Sequence, residues 1–238
     1  MTSPKRIDQA WYDESGYFEA GAAAHLLDPE SRFQRYRVRM VTALAEPRPD
    51  DDVVDLGSGW GTFELALSPS VRSIVGVDFS RRSVELSREL LDRQRADNVS
   101  FRQADAGDTG LESGRYDLVI AADLFEHLYP EDSARVAREA YRILRPGGRF
   151  AVWTPHRGHI VEILRNHRIL LEPDPAHVDY KSMDRMRELC TRAGFEIEHA
   201  GYVESHLPML RTVERFFGRF VPLLRRRIAI RAIKPHPR

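Results

Sequence analysis

Apolar residues recur along this chain in two alternating rhythms. Short strand candidates, some of them nearly unbroken apolar runs, lie at 52–56, 73–78, 98–104, 115–122 and 148–154. Between them, 62–68, 81–96 and 131–144 carry apolar positions at helical spacing, as in Val84, Leu86, Leu90 and Leu91. Continuous runs such as Leu118-Val119-Ile120-Ala121-Ala122 suit strands covered on both faces, and the wider spacing suits helices lying on those faces. The alternation predicts an α/β fold, a doubly wound and mostly parallel sheet between two helical layers.

The flanks follow other patterns. Residues 1–46 read as helical and rich in aromatics (Trp11, Tyr12, Tyr17, Phe18, Phe33, Tyr36), and Pro47 and Pro49 end that run. Arg145-Pro146-Gly147-Gly148 reads as a turn between a helix and a strand. A helix is expected at 182–193, stopped by Gly194, then a strand at 195–203. The stretch 208–224 has an amphipathic helical pattern, with Leu210, Val213, Phe216, Phe217, Phe220 and Val221 on one side. Alternation over 227–233 predicts a final strand. The expected organisation is therefore an arm or lid over 1–48 and one domain over 49–238. That domain carries an insert at about 156–181, with a helix-like piece from Ile160 to Leu171, and a basic helix at about 208–226.

Composition narrows the setting. With 238 residues, 42% apolar and 30% charged, the chain can bury a sizeable core. Its one cysteine, Cys190, excludes an internal disulfide and a cysteine-based metal site, and it reads as a buried small hydrophobe. The start, Met-Thr-Ser-Pro-Lys-Arg, is unlike a signal peptide, and no apolar run reaches the roughly 18 residues of a membrane span, so a cytoplasmic protein is expected. Charge is balanced overall but unevenly placed. From Ser205 onward nine Lys and Arg face only Glu214, leaving +8 there and −8 elsewhere. Such asymmetry points to an anionic substrate, a membrane surface or nucleic acid, or to nothing more than a solvated helix face.

Candidate chemistry begins where the first strand ends. Val53-Val54-Asp55-Leu56-Gly57-Ser58-Gly59-Trp60-Gly61 runs an apolar strand into three alternate glycines, and a helix follows from about Thr62. Glycines let backbone approach a ligand closely, and the helix N-terminus offers amides to a negative group. The dinucleotide fingerprint G-x-G-x-x-G needs glycine at position 62, where this chain has Thr62. Three acids fall at consecutive strand ends, where open α/β sheets bind ligands: Asp55, Asp78 (23 residues later, the range for a ribose-binding acid) and Asp105.

Over about residues 50 to 203 these features resemble the class I S-adenosylmethionine (SAM) methyltransferases. Asp55 to Gly61 resembles motif I, Gly76-Val77-Asp78-Phe79-Ser80 motif II, and Gln103-Ala104-Asp105-Ala106 motif III. Leu124-Phe125-Glu126-His127-Leu128 resembles the sequel to the family's fourth strand. The resemblance implies a Rossmann-like sheet with an antiparallel last strand, SAM as cofactor and S-adenosylhomocysteine as product. Gly57, Ser58, Gly59 and Gly61, after Asp55, would hold the methionine part, and Asp78 the ribose hydroxyls. Phe79 would pack on adenine, Asp105 beside Ala106 would accept from its amino group, and Ala122 and Asp123 would face methionine and acceptor. The amino-terminal arm would cover the site, or simply pack on the sheet edge.

Methyl transfer needs mainly alignment, plus a base when the acceptor arrives protonated. His127, His156 and His177 are the candidate bases, each with a structural role as the plain alternative; a metal set of His156, His159, His177 and Asp179 is disfavoured, and no metal is expected. The absence of an Asn/Asp-Pro-Pro-Tyr/Phe motif after strand four speaks against adenine or glutamine amino groups as acceptors. The expected function is methyl transfer to an O or N atom of a small molecule, anionic or lipid-linked, with nucleic acid disfavoured. A lipid-linked or RNA acceptor, aminopropyl transfer, a NAD-type oxidoreductase and an inactive binding protein on the same fold are the competing readings.

Overall fold

The computed structural model describes residues 6–17, 28, 31–169 and 172–237. Phe18 of the aromatic arm and the end of the helix-like piece at 170 and 171 lie outside them. Seven strands form one sheet: β1 (Asp52–Leu56), β2 (Ser73–Asp78), β3 (Val99–Gln103), β4 (Tyr116–Ala122), β5 (Leu144–Pro155), β6 (Glu196–Val203) and β7 (Arg227–Ile233). Their spatial order is β3-β2-β1-β4-β5-β7-β6. Strand β7 alone runs antiparallel, pairing β5 and β6. Strand order therefore reverses between β1 and β4, and the crevice at that switch point is where an open sheet binds ligands.

Helices α2 (Arg32–Ala45), α3 (Thr62–Leu67) and α4 (Arg81–Gln94) cover one face around Phe63, Ile74, Leu118 and Trp153. Helices α5 (Pro130–Ile143) and α7 (Met183–Ala193) cover the other around Leu56, Phe125, Phe150 and Cys190. Burying each such aromatic contributes about 2 kcal/mol or more. Cys190 is fully buried, as expected, and burial pushes its thiol up to about 12. Among the described residues three further helices lie outside these layers: α1 (Gln9–Glu14), α6 (Ile160–Asn166) and α8 (Pro208–Phe217). Among the described residues no helix is long and apolar enough to cross a membrane.

Two elements differ from the expectation. Arg145-Pro146-Gly147-Gly148 is not a turn between elements but part of β5: Tyr116 pairs with Leu144 and the register then slips to Leu118 with Arg149. Gly147, at φ 79°, absorbs the irregularity, as a bulge requires. The helix expected over 208–224 stops at Phe217 and continues as a short 3₁₀ turn at Pro222–Leu224. Gly218 caps it, donating its amide to the Glu214 carbonyl at 2.8 Å in a close approach that a Cβ would block.

Candidate functional site

A cavity of about 370 Å³ opens at the carboxyl ends of β1, β2 and β4. Its size suits a small-molecule ligand. Gly57, Ser58, Gly59, Asp78, Phe79, Asp105, Ala106, Ala122, Asp123 and His127 all line it. Two other expected cofactor residues, Asp55 and Gly61, lie off that wall, as do His156 and His177.

The glycine turn is shaped by contacts behind it. Gly57 has φ 78°, and a Cβ there would come within 2.9 Å of Leu124 Cδ1. Gly61 has φ 71°, and a Cβ there would come within 2.6 Å of Phe101 Cζ. Asp55 is buried beneath the turn beside Glu64 at the start of α3. Burial raises both carboxyls above the usual range; the charge of Asp55 raises Glu64 further, while Arg37 pulls both back down. Asp55 therefore lies behind the turn and off the cavity wall.

Asp78 occupies the front of the turn. Its carboxylate accepts from the Gly59 amide at 3.0 Å and the Ser80 amide at 2.9 Å. Burial lifts its pKa against the pull of those two amides. Ser58 Oγ, also on the wall, is buried without a hydrogen-bond partner. Asp105 is exposed; it accepts from the Gly107 amide at 2.7 Å and faces Arg135 at 3.1 Å.

On the far side, Arg37 reaches in from α2. Its Nε donates to Asp123 at 2.7 Å, its Nη2 donates to the Ala122 carbonyl at 3.2 Å, and its guanidinium lies 4.5 Å from the Phe63 ring. Asp123, held at φ 56°, also pairs with Arg227. Burial alone would raise its carboxyl, but Arg227 and Arg37 overcome that and hold it low.

His127 sits under the arm. Its Nδ1 is 3.0 Å from the Tyr12 hydroxyl of α1 and 3.1 Å from the Ala176 carbonyl. A carbonyl can only accept, which assigns the hydrogen to Nδ1 and leaves the Nε2 lone pair free. Burial lowers the His127 pKa, keeping the ring neutral, and raises the Tyr12 pKa. The arm is tied down elsewhere too: Asp13 accepts from Ser80 Oγ at 2.7 Å and the Arg82 amide at 3.1 Å, and Ile7 N donates to Tyr129 at 3.2 Å. Trp11, Tyr12, Tyr17 and Phe79 pack together there with Ala176.

His177 lies behind His127, ring centroids 4.8 Å apart, with Nδ1 2.6 Å from the Tyr180 hydroxyl. His156 turns away, its Nδ1 2.9 Å from the Arg225 carbonyl. Among the described residues one group, Glu126, His127 and His177, places donor atoms within 4.8 Å of one another. His156, His159 and Asp179 do not join it. Tyr12 and Asp123 carried sequence signals as an aromatic arm and a strand-end acid. Arg37 and Ala176 carried none, because each reads as an ordinary residue of its segment.

This geometry meets known proteins in three ways. The methyltransferase-domain family model matches residues 53–148. An uncharacterized methyltransferase of Bacillus subtilis is 29% identical over 63% of this chain and 59% of its own. A probable S-adenosylmethionine-dependent methyltransferase of Mycolicibacterium smegmatis is 28% identical over 70% of this chain and 60% of its own. Phosphoethanolamine N-methyltransferase 2 of Haemonchus contortus shares the fold at a TM-score of 0.74, covering 98% of this chain and 62% of that one at 17% identity. A mostly parallel seven-stranded sheet with a glycine turn at its switch point is a Rossmann-like fold. Residues 53–148 carry the methyltransferase domain, and these relatives support the class I SAM-dependent methyltransferase reading of its motifs. The chain spans about three fifths of the length of the two curated relatives, 59% and 60%.

Proposed function

We propose that the chain moves the methyl group of SAM to an O or N atom of a small acceptor held beneath the amino-terminal arm. The observation that carries this reading is His127, an imidazole that burial keeps neutral and whose Nδ1 faces the Ala176 carbonyl, lining the same cavity as the Gly57–Gly59 turn and Asp78. SAM supplies a methyl carbon already electrophilic through its sulfonium, so the protein's task is alignment. Ser58 Oγ would meet the methionine part, Arg37 its carboxylate, and Asp78, held by the Gly59 amide, the ribose hydroxyls. Phe79 would stack on adenine beside Ala106. Asp105 would take the adenine amino group by giving up Arg135.

The acceptor's lone pair forms the new bond to carbon while the carbon–sulfur bond breaks and S-adenosylhomocysteine forms. The acceptor's proton passes to His127 Nε2, and the Ala176 carbonyl and Tyr12 oxygen hold the ring in the tautomer that receives it. His156, whose Nδ1–H donates to the Arg225 carbonyl away from the cavity, has no part in this step, and His177 packs against His127 from behind. The acceptor class we favour is anionic or lipid-linked, and a cytoplasmic setting belongs to the same reading. A transfer assay with methyl-labelled SAM against phosphobases, phenols and amphiphilic quinols tests it. Label moving to one class at pH 8 and fading as the medium is acidified is expected; label moving to none of them, with SAM bound, would overturn the small-acceptor reading.

A further inference from the structure

Helix α8 is turned inside out. A surface helix ordinarily buries its apolar stripe and exposes its polar one. Here the fully inward residue is Glu214, which accepts from the Ser205 amide and stands 3.5 Å from His159 Nε2. The apolar stripe faces out: Met209 is 88% exposed, Phe216 67% and Phe220 75%, with Phe217, Val221 and Leu223 open beside them. Exposed apolar side chains concentrated on one element mark a contact surface rather than scattered surface residues.

The charges around the stripe say what it meets. Between Leu207 and Arg226 the chain has five arginines, and its one acid, Glu214, is buried. Arg215 and Arg219 are exposed beside the stripe, Arg215 facing Glu204 at 3.6 Å and Arg219 lying 5.7 Å from the Phe220 ring. A second copy of this chain, paired by a two-fold axis, would bring the same arginines against one another. An anionic lipid surface answers both features, since headgroups take the arginines and acyl chains take Phe216, Phe220 and Met209.

We propose that α8 and the turn after it, residues 207–224, dock in the plane of an anionic membrane. Position gives the contact a purpose. The segment joins Val203, the end of β6, to Arg227, the start of β7, and Arg227 is paired with Pro155 at the carboxyl end of β5. That is the edge on which the cavity opens, and Arg227 itself bonds Asp123 on the cavity wall. Docking brings the edge that carries the cavity to the bilayer surface, so the acceptor is an amphiphile drawn from the membrane; this last step rests on the methyl-transfer reading, whereas the docking does not.

Flotation of the full chain with vesicles of phosphatidylcholine alone, or with added phosphatidylglycerol, tests the proposal. The chain is expected to float with the anionic vesicles and to be released as salt rises. Replacing Met209, Phe216 and Phe220 together by Ser is expected to lower the bound fraction about tenfold. SAM affinity and thermal midpoint should stay unchanged in that variant, showing an intact fold. No flotation, equal flotation with neutral vesicles, or full binding by the triple variant would overturn it. So would a dimer in sedimentation velocity that the triple variant abolishes without any vesicle binding, which would make a second copy the occupant. Vesicle binding by a chain that binds no SAM would leave docking standing and remove only the methyl-transfer reading.

Discussion

Around Gly57, Asp78 and Ala106 the cavity wall is made of strand ends and the turns that follow them, all within one stretch of chain. Around Tyr12, Arg37 and His127 it is made of side chains sent from α1, α2 and the loop after β4, with the Ala176 carbonyl behind them. The first region presents backbone of the glycine turn and one buried carboxylate, so its form follows from the sheet. The second depends on three segments arriving together, so its form follows from docking. Ligand chemistry shared by a family can reside in the first, and chemistry particular to one acceptor belongs to the second.

Four substitutions separate the two regions. The largest effect is expected from His127→Ala: turnover should fall by about 10²–10⁴, with SAM affinity unchanged by calorimetry. Full turnover would take the histidine out of the proton's path and reduce it to packing. Asp78→Ala, on the other side of the comparison, should weaken SAM at least about tenfold, the scale of lost hydrogen bonds to a charged group. An unaltered dissociation constant in a folded variant would move the ribose elsewhere. Tyr12→Phe keeps the ring in the arm's aromatic cluster and removes only the hydroxyl at His127. Turnover should drop by about tenfold or less, since the Ala176 carbonyl still fixes the tautomer. A collapse of SAM binding would show instead that the hydroxyl secures the whole arm.

The smallest effect concerns stability and not turnover. Asp55 and Glu64 both have pKa values raised on folding, first by burial. Groups raised in this way give their full stabilisation below the unfolded value near about 4, and lose it as pH rises through the folded value. The thermal midpoint should therefore fall from acid towards alkaline pH, and Glu64→Gln, which removes one of the two ionisations, should flatten that fall. Parallel pH profiles for the two proteins would mean that the dyad carries no proton.

Much of the first region was legible in the sequence, and the reason is physical. Leu118 to Ala122 could only be a strand buried on both faces, and Asp55, Asp78 and Asp105 were bound to fall at strand ends once that alternation was read. Legibility stopped where a residue's role depends on what docks against it. Asp55 carries the family's pattern, yet Glu64 faces it from below, and nothing in the spacing announces a buried acid at 64. Arg37 sits among Arg35 and Arg39 in a helix with an ordinary charged face, so its turn inward left no trace. Among the described histidines only His127 lines the cavity, because β5 leads His156 toward the Arg225 carbonyl and the insert sets His177 one layer back. For α8 the periodicity revealed an apolar side, but a pattern does not say which side the fold will bury. Glu214 decides that, through Ser205 and His159.

The central claim is that the turn at Gly57–Gly61 and Asp78 hold SAM. Calorimetric titration of the chain with SAM, S-adenosylhomocysteine and NAD in parallel tests it most directly. The account predicts saturable binding of the first two, weakened by Asp78→Ala, and no heat from NAD. Binding of NAD, or of none of the three, would contradict it.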